Sequence, residues 1–265
     1  MDTKQVALTA KDGHKVFGTH RQATSPRAAI LLVHGITADR HEWGYYDLVG
    51  ESLQKSGVAS LAIDYRGHGA SELSVNNLML SGIMLDIEVA WGYLLDSHPG
   101  LSVRRAISGN SFGGGTSYIY GMWTDSIDHV FLTMPVLSYV NDASRMNAHW
   151  ERHREPGYIK YASVELPGLM VPEFYFFDEI IDRLQPTKDY TILHGRADSD
   201  VPFEESAHFC QQHPRGRLIG LDDMDHSWAA PGDPELKTPR SHENQAIAAA
   251  RFQELVTEAL HLSRT

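Results

Sequence analysis

The chain has 265 residues, 42% of them hydrophobic and 22% charged, with a formal charge of −11 at pH 7. This is an ordinary globular composition with material for a sizeable core, and its acidity argues against nucleic-acid partners, whose phosphates need a concentrated basic surface. The polar opening MDTKQVALTAKDGHK lacks the apolar core of a secretory signal, and no stretch approaches the ~20 apolar residues of a membrane span. The single cysteine, Cys210, excludes an internal disulfide framework and suits a reducing compartment, so the cytoplasm is the expected location.

In chain order, Gln5–Thr9 and Lys15–His20 flank Asp12-Gly13, a dipeptide that favours tight turns, and this predicts an opening β-hairpin. Ala28–Val33 is an unbroken apolar run, as expected of a strand covered on both faces. Val58–Asp64, Val103–Ser108, Val130–Met134 and Tyr190–His194 repeat that pattern, with Arg217–Leu221 a weaker instance. Between them, Tyr46–Ser56, Ser81–Ser97 and Ser241–Leu262 carry apolar residues at three- and four-residue intervals, the spacing of amphipathic helices. In the last of these, Ile247, Ala250, Leu255 and Leu262 mark the expected buried face. Alternating strands and helices predict an α/β fold with a doubly wound, mostly parallel sheet.

Residues 135–186 break the alternation. They are irregular, interrupted by Pro156, Pro167 and Pro172, and rich in aromatic residues. So long a structureless stretch is unusual inside a compact domain, which predicts a small cap or lid with short helices of its own. The expected organisation is a core of residues 1–134 and 187–265 and a cap of 135–186. Tyr139, Trp150, Phe174 and Tyr175 are candidates to line a substrate pocket beneath that cap.

Gly109-Asn110-Ser111-Phe112-Gly113 has the Gly-x-Ser-x-Gly form of a nucleophile elbow, with a predicted strand before it and a small-residue helix start after it. Such a turn holds Ser111 in a strained backbone conformation, and Gly109 and Gly113 leave room where a Cβ would collide. A serine hydroxyl needs a base to take its proton, ordinarily a His oriented by a carboxylate. His226 is the best-placed base, in a polar loop after the last predicted strand; His208, His213 and His242 lie in helical or surface patterns and are expected to be solvated. For the acid, Asp198 and Asp200 compete in the loop after Tyr190–His194, and Asp225 is a third contender next to His226 itself. Asp198 is favoured by its distance from the strand end, because Asp200 leads into the next helix and adjacent residues seldom orient each other's side chains. The oxyanion of a tetrahedral intermediate needs backbone donors, expected from the N–H of Phe112 and of Ile36 in His34-Gly35-Ile36. Cys210 reads as a packing residue. His149-Trp150-Glu151-Arg152-His153 lacks the His-Glu-x-x-His order of zinc peptidases, so no metal and no cofactor are expected.

Together, His34-Gly35, Asp64–Ser71, Gly109–Gly113, His194–Pro202 and Asp225-His226 resemble the α/β-hydrolase superfamily, in its esterase, lipase and serine aminopeptidase-like branch. That branch includes monoacylglycerol lipases and cinnamoyl or feruloyl esterases. The resemblance covers almost the whole chain. It implies a central, mostly parallel sheet with a cap between the sixth and seventh core strands, Ser111 as nucleophile, Asp198 as acid and His226 as base. It also supports Ile36 and Phe112 as oxyanion donors, and a structural role for Asp64–Ser71. Two features depart from the pattern: Asn110 stands where His is common before the nucleophile, and Gly113-Gly114-Gly115 exceeds what a helix start needs. The expected activity is hydrolysis of a small-molecule carboxylic ester or thioester with an apolar or aromatic group, through an acyl-enzyme. Aminopeptidase or amidase, acyltransferase and carbon–carbon hydrolase chemistry could use the same three groups, as could a silent ligand-binding protein retain them.

Overall fold

The computed structural model describes residues 2–100, 103–146 and 157–262. The opening hairpin pairs β1 (Asp2–Thr9) with β2 (Lys15–Gln22) around Gly13, whose φ of +88° is the left-handed conformation the turn requires. There follow β3 (Ala28–Val33), α1 (Tyr45–Lys55), β4 (Val58–Asp64), α2 (Leu80–Ser97), β5 (Arg104–Asn110), α3 (Gly113–Trp123) and β6 (His129–Thr133). The chain then leaves the sheet for α4 (Tyr139–Met146), a hairpin of β7 (Tyr158–Tyr161) and β8 (Val164–Pro167), and α5 (Met170–Arg183). It returns through β9 (Tyr190–Gly195), α6 (Phe203–Gln212), β10 (Gly216–Leu221) and α7 (Pro239–Ala259).

One sheet of eight strands runs in the order β1-β2-β4-β3-β5-β6-β9-β10. The β1–β2 and β2–β4 pairings are antiparallel and every other pairing is parallel. Alternation along the central strands distributes side chains to two cores. Ala29, Leu31 and Val33 of β3 pack with Ile83 and Ile87 of α2 and Ile119 of α3, whereas Ala28, Ile30 and Leu32 pack with Val49 of α1 and Phe252 and Val256 of α7. All six residues of β3 are thus buried, as the unbroken apolar run predicts. Each large aliphatic side chain so buried is worth about 1.5–3 kcal/mol relative to exposure. Among the described residues no helix is long and apolar enough to cross a membrane.

The structure corrects the predicted face of α7. Ile247 is 49% exposed and Ala250 is exposed, while Ser241, Asn244, Gln245, Ala248, Ala249, Phe252, Leu255 and Val256 face the sheet and Leu262 lies beyond the helix end. Leu255 and Leu262 are buried as expected, but small and polar residues share the contact with them, so an apolar count misplaces Ile247 and Ala250. His213 is also not solvated: it is buried, stacked on Phe209 at 4.1 Å.

Two carboxylates of α5 cap helices, Asp178 within the segment between β6 and β9 and Glu173 across to the core. Asp178 of α5 accepts from Tyr139 N (2.6 Å), Val140 N (3.1 Å) and Ser138 Oγ (2.7 Å), satisfying free amides at the start of α4. Glu173 does the same for α2, accepting from Leu80 N and Ser81 Oγ, each at 2.5 Å. The surplus glycines of α3 belong to this junction. A Cβ on Gly114 would lie 2.5 Å from Pro135 Cβ, and one on Gly115 would lie 2.8 Å from the Tyr139 ring.

Candidate active site

β5 ends at Asn110 and α3 begins at Gly113, so the chain must turn sharply at Ser111, where φ is +46°. Backbone bonds hold this strained residue: Ser111 N donates to Thr133 O (2.9 Å), and Gly114 N and Val136 N both donate to Ser111 O (2.8 Å each). The flanking glycines are required by crowding, because a Cβ at Gly109 would strike Gly113 O and Ser117, and one at Gly113 would strike His34 O.

His226 follows β10 in a short 3₁₀ turn, His226–Trp228, whose buried Trp228 roots it in the core. Its Nε2 lies 3.0 Å from Ser111 Oγ, and its Nδ1 lies 2.9 Å from Oδ2 and 3.1 Å from Oδ1 of Asp198. Asp198, after β9, is buried and firmly held. Oδ1 accepts from Asp200 N (3.0 Å) and Val201 N (2.8 Å), and Oδ2 lies 3.2 Å from His194 Nε2. Three residues from three loops at the carboxyl ends of parallel strands therefore form one hydrogen-bonded line.

The two other contending carboxylates do different work. Asp225 Oδ1 accepts from Ser199 N (2.7 Å), Ser199 Oγ (2.9 Å) and His226 N (2.8 Å), which ties the two loops together. Asp200 lines the cavity over Ser111. The electrostatics follow from this crowding. Burial alone would lift Asp198, but the His226 charge and the bonds to His194 and His226 hold it well below the usual carboxylate range. Burial alone would lower His226, yet Asp198, Asp200 and Asp142 outweigh it and hold the ring above its ordinary 6.5.

The loop after β3 brings Gly35 against Ser111, and Ile36 lines the same cavity. Among the described residues, neither Ile36 N–H nor Phe112 N–H has an acceptor within the protein. The cavity measures about 250 Å³ and is walled by Ile36, Trp43, Met146, Tyr161 and Val201, with the carboxylates of Glu42 and Asp142.

The expected aromatic lining needs correction. Tyr139 and Phe174 are fully buried and pack around Phe112, and Tyr139 Oη donates to Phe112 O (2.9 Å) and accepts from Thr116 N (3.1 Å). Tyr175 is 51% exposed, on the opposite side of α5 from the buried Phe174 and Phe177. Trp150 and the His149–His153 motif lie outside the described residues. Glu42, Asp142 and Tyr161, which do line the cavity, carry no local signal, since a polar loop and an amphipathic helix explain them equally well. Cys210 is half-buried on α6, 3.9 Å from Tyr190 Oη, and burial raises its thiol pKa. No cluster of three or more His, Cys, Asp or Glu able to hold a metal occurs among the described residues.

A family model described as "Serine aminopeptidase, S33" matches residues 24–162. A monoacylglycerol lipase of Mycolicibacterium smegmatis is 33% identical over 107 residues, 40% of this chain and 36% of the lipase, so little more than a third of that relative is matched. Among solved structures, Est1E from Butyrivibrio proteoclasticus with ferulic acid bound is similar at a TM-score of 0.76 and 19% identity, covering 95% of this chain and all of that one. The Pyrococcus furiosus esterase Pf2001 is similar at 0.69 and 21% identity, over 98% of this chain and 92% of that one. These likenesses show the α/β-hydrolase fold.

Proposed function

Because the chain belongs to the serine aminopeptidase S33 family, we propose that it is a serine hydrolase that cleaves carboxylic esters through an acyl-enzyme on Ser111. The observation that carries this reading is the line from Ser111 Oγ through His226 Nε2 and Nδ1 to Asp198 Oδ2, with steps of 3.0 and 2.9 Å.

Ser111 Oγ attacks the ester carbonyl carbon as His226 Nε2 takes its proton. Asp198 keeps the other proton on Nδ1 and stabilises the imidazolium as it forms. The carbonyl oxygen becomes an oxyanion held by the N–H groups of Ile36 and Phe112. Collapse of the tetrahedral intermediate breaks the bond to the alkoxide, which takes the proton from His226 and leaves as an alcohol. Water, deprotonated by the same ring, then attacks the acyl carbon, and the second collapse returns Ser111 and a carboxylic acid. Residues 135–186 act as the cap, and Met146 and Tyr161, with Ile36 and Val201 of the core, receive an apolar or aromatic portion of the substrate.

A second reading, release of N-terminal residues from peptides, draws on the Asp142 and Asp200 carboxylates beside the cavity, which would attract an amine. The expected result for Ser111→Ala is loss of p-nitrophenyl ester turnover in a protein of unchanged melting temperature. A fluorophosphonate should label Ser111 of the wild type stoichiometrically. Turnover retained by the folded variant would overturn the assignment, and a panel of aryl esters, acyl thioesters and aminoacyl anilides separates the two readings.

A further inference from the structure

Glu42 is a buried carboxylate at the site that the mechanism above leaves without a task. It is only 3% exposed, and it sits at a backbone φ of +46° with Trp43 at +55°, an arrangement that two successive non-glycine residues seldom adopt. Burial disfavours its charge and pushes the carboxyl up to about 7, against the opposing bond from Gly35 and the influence of His226 and the Asn110 side chain. A buried, strained, partly desolvated acid is costly unless it makes a specific contact. That contact is Gly35 N, which donates to Glu42 Oε2 at 2.7 Å.

Gly35 is the residue before the Ile36 donor. Its own backbone touches the nucleophile, since a Cβ there would stand 3.0 Å from Ser111 Cβ and 3.6 Å from Ser111 Oγ. Its carbonyl accepts from His34 Nδ1 at 2.6 Å, and the His34 ring is in turn stacked on Tyr65 at 3.9 Å. A trans peptide is planar, with its C=O and N–H pointing opposite ways. Fixing the Gly35 carbonyl on His34 therefore turns the Ile36 N–H to the other side, and Glu42 stops the preceding peptide from rolling. Asn110 takes part: its Oδ1 accepts from Thr133 Oγ1 at 2.5 Å, which leaves its amide nitrogen to favour the Glu42 carboxylate.

We infer that Glu42 is a positioning residue, which through the Gly35 N–H clamps the His34-Gly35-Ile36 segment so that the Ile36 N–H meets the oxyanion. This rests on the serine-hydrolase reading. The Glu42 side chain takes no proton in the reaction; its work is to keep one donor aimed before charge develops.

The test compares the wild type with Glu42→Ala and Glu42→Gln in the full chain. It measures kcat and KM per fluorophosphonate-titrated site, and inhibition by a trifluoromethyl ketone whose serine adduct carries a tetrahedral oxyanion. Loss of the clamp should lower kcat about 10–100-fold, with KM within about twofold. The ketone should weaken by the same factor as kcat/KM. Gln keeps an oxygen acceptor for Gly35 N–H and should recover activity to within about fivefold of the wild type. If the alanine variant melts below the assay temperature, Glu42→Met fills the volume without an acceptor and takes its place.

Titrated kcat within about twofold of the wild type, unchanged ketone affinity, or a glutamine variant as impaired as alanine would each overturn the inference. Failure of the wild type to take up the fluorophosphonate would instead overturn the serine-hydrolase reading itself.

Discussion

Replacing Asp198 with Asn changes one atom, and the structure dictates how the new amide must sit. Oδ1 accepts from two backbone donors, Asp200 N and Val201 N, so the amide oxygen is required there and the NH₂ group falls at the Oδ2 position. That position lies 2.9 Å from His226 Nδ1. A donor facing Nδ1 makes that nitrogen the acceptor and moves the ring proton to Nε2, which lies 3.0 Å from Ser111 Oγ. The base is then blocked at the atom that must take the serine proton. The opposite flip would aim the NH₂ group at both backbone N–H groups, leaving the buried Val201 N–H unsatisfied at about 1–3 kcal/mol. The wrong tautomer in a site of this kind costs about 10⁴ in kcat, equivalent to about 5.4 kcal/mol of barrier. Steady-state hydrolysis of a p-nitrophenyl ester, alongside thermal melting, reads the effect directly. Asp225→Asn is the control, since Asp225 ties His226 N to Ser199 without touching the ring; its loss should stay within about tenfold. An Asp198→Asn protein that is folded and within about tenfold of wild-type kcat would refute the assignment of Asp198 as the orienting acid.

The acid limb of kcat/KM should lie above pH 6.5, because His226 must be neutral to act as base and Asp198, Asp200 and Asp142 hold its pKa up. Activity should therefore rise with pH through that limb. Asp142→Asn should move it downward, since Asp142, which burial brings to about 7, is ionised near the value of about 9 to which His226 is raised; an unmoved limb in a pH–rate profile counts against the coupling. Tyr139→Phe should destabilise by about 1–3 kcal/mol by stripping the buried Phe112 carbonyl and Thr116 N–H of their partner, a fall of about 2–4 °C per kcal/mol in melting temperature. Gly114→Ala should cost about 1–3 kcal/mol through overpacking against Pro135, and an unchanged melting temperature would show that the junction yields freely.

Much of the architecture is legible because its causes are local. Ala28–Val33 and Val58–Asp64 can be recognised as strands since a run buried on both faces must be apolar throughout, and Gly109 and Gly113 mark the elbow because no side chain fits there. The face of α7 misleads for the converse reason. Asn244 is buried because its Nδ2 donates to Asp223 O (3.1 Å), a carbonyl that the helix pattern cannot reveal. The aromatic residues of 135–186 show that something packs there, but whether Tyr139 faces a substrate or the Phe112 carbonyl depends on how α4 and α5 lean on α3.

For this protein, then, sequence by itself determined which groups are the candidates for the proposed chemistry: a serine on a strained turn, and a histidine and an aspartate in loops after later strands. Backbone crowding, hydrophobic periodicity and the need of a hydroxyl for a base are properties of neighbouring residues and chemical types. Only the tertiary structure decided that Asp198 rather than Asp200 or Asp225 meets His226, and that Glu42 reaches back to Gly35 beside Ser111. Those choices depend on where separate loops converge above one sheet edge, and a distance of 2.9 Å between atoms 28 residues apart in the chain is set by packing between elements.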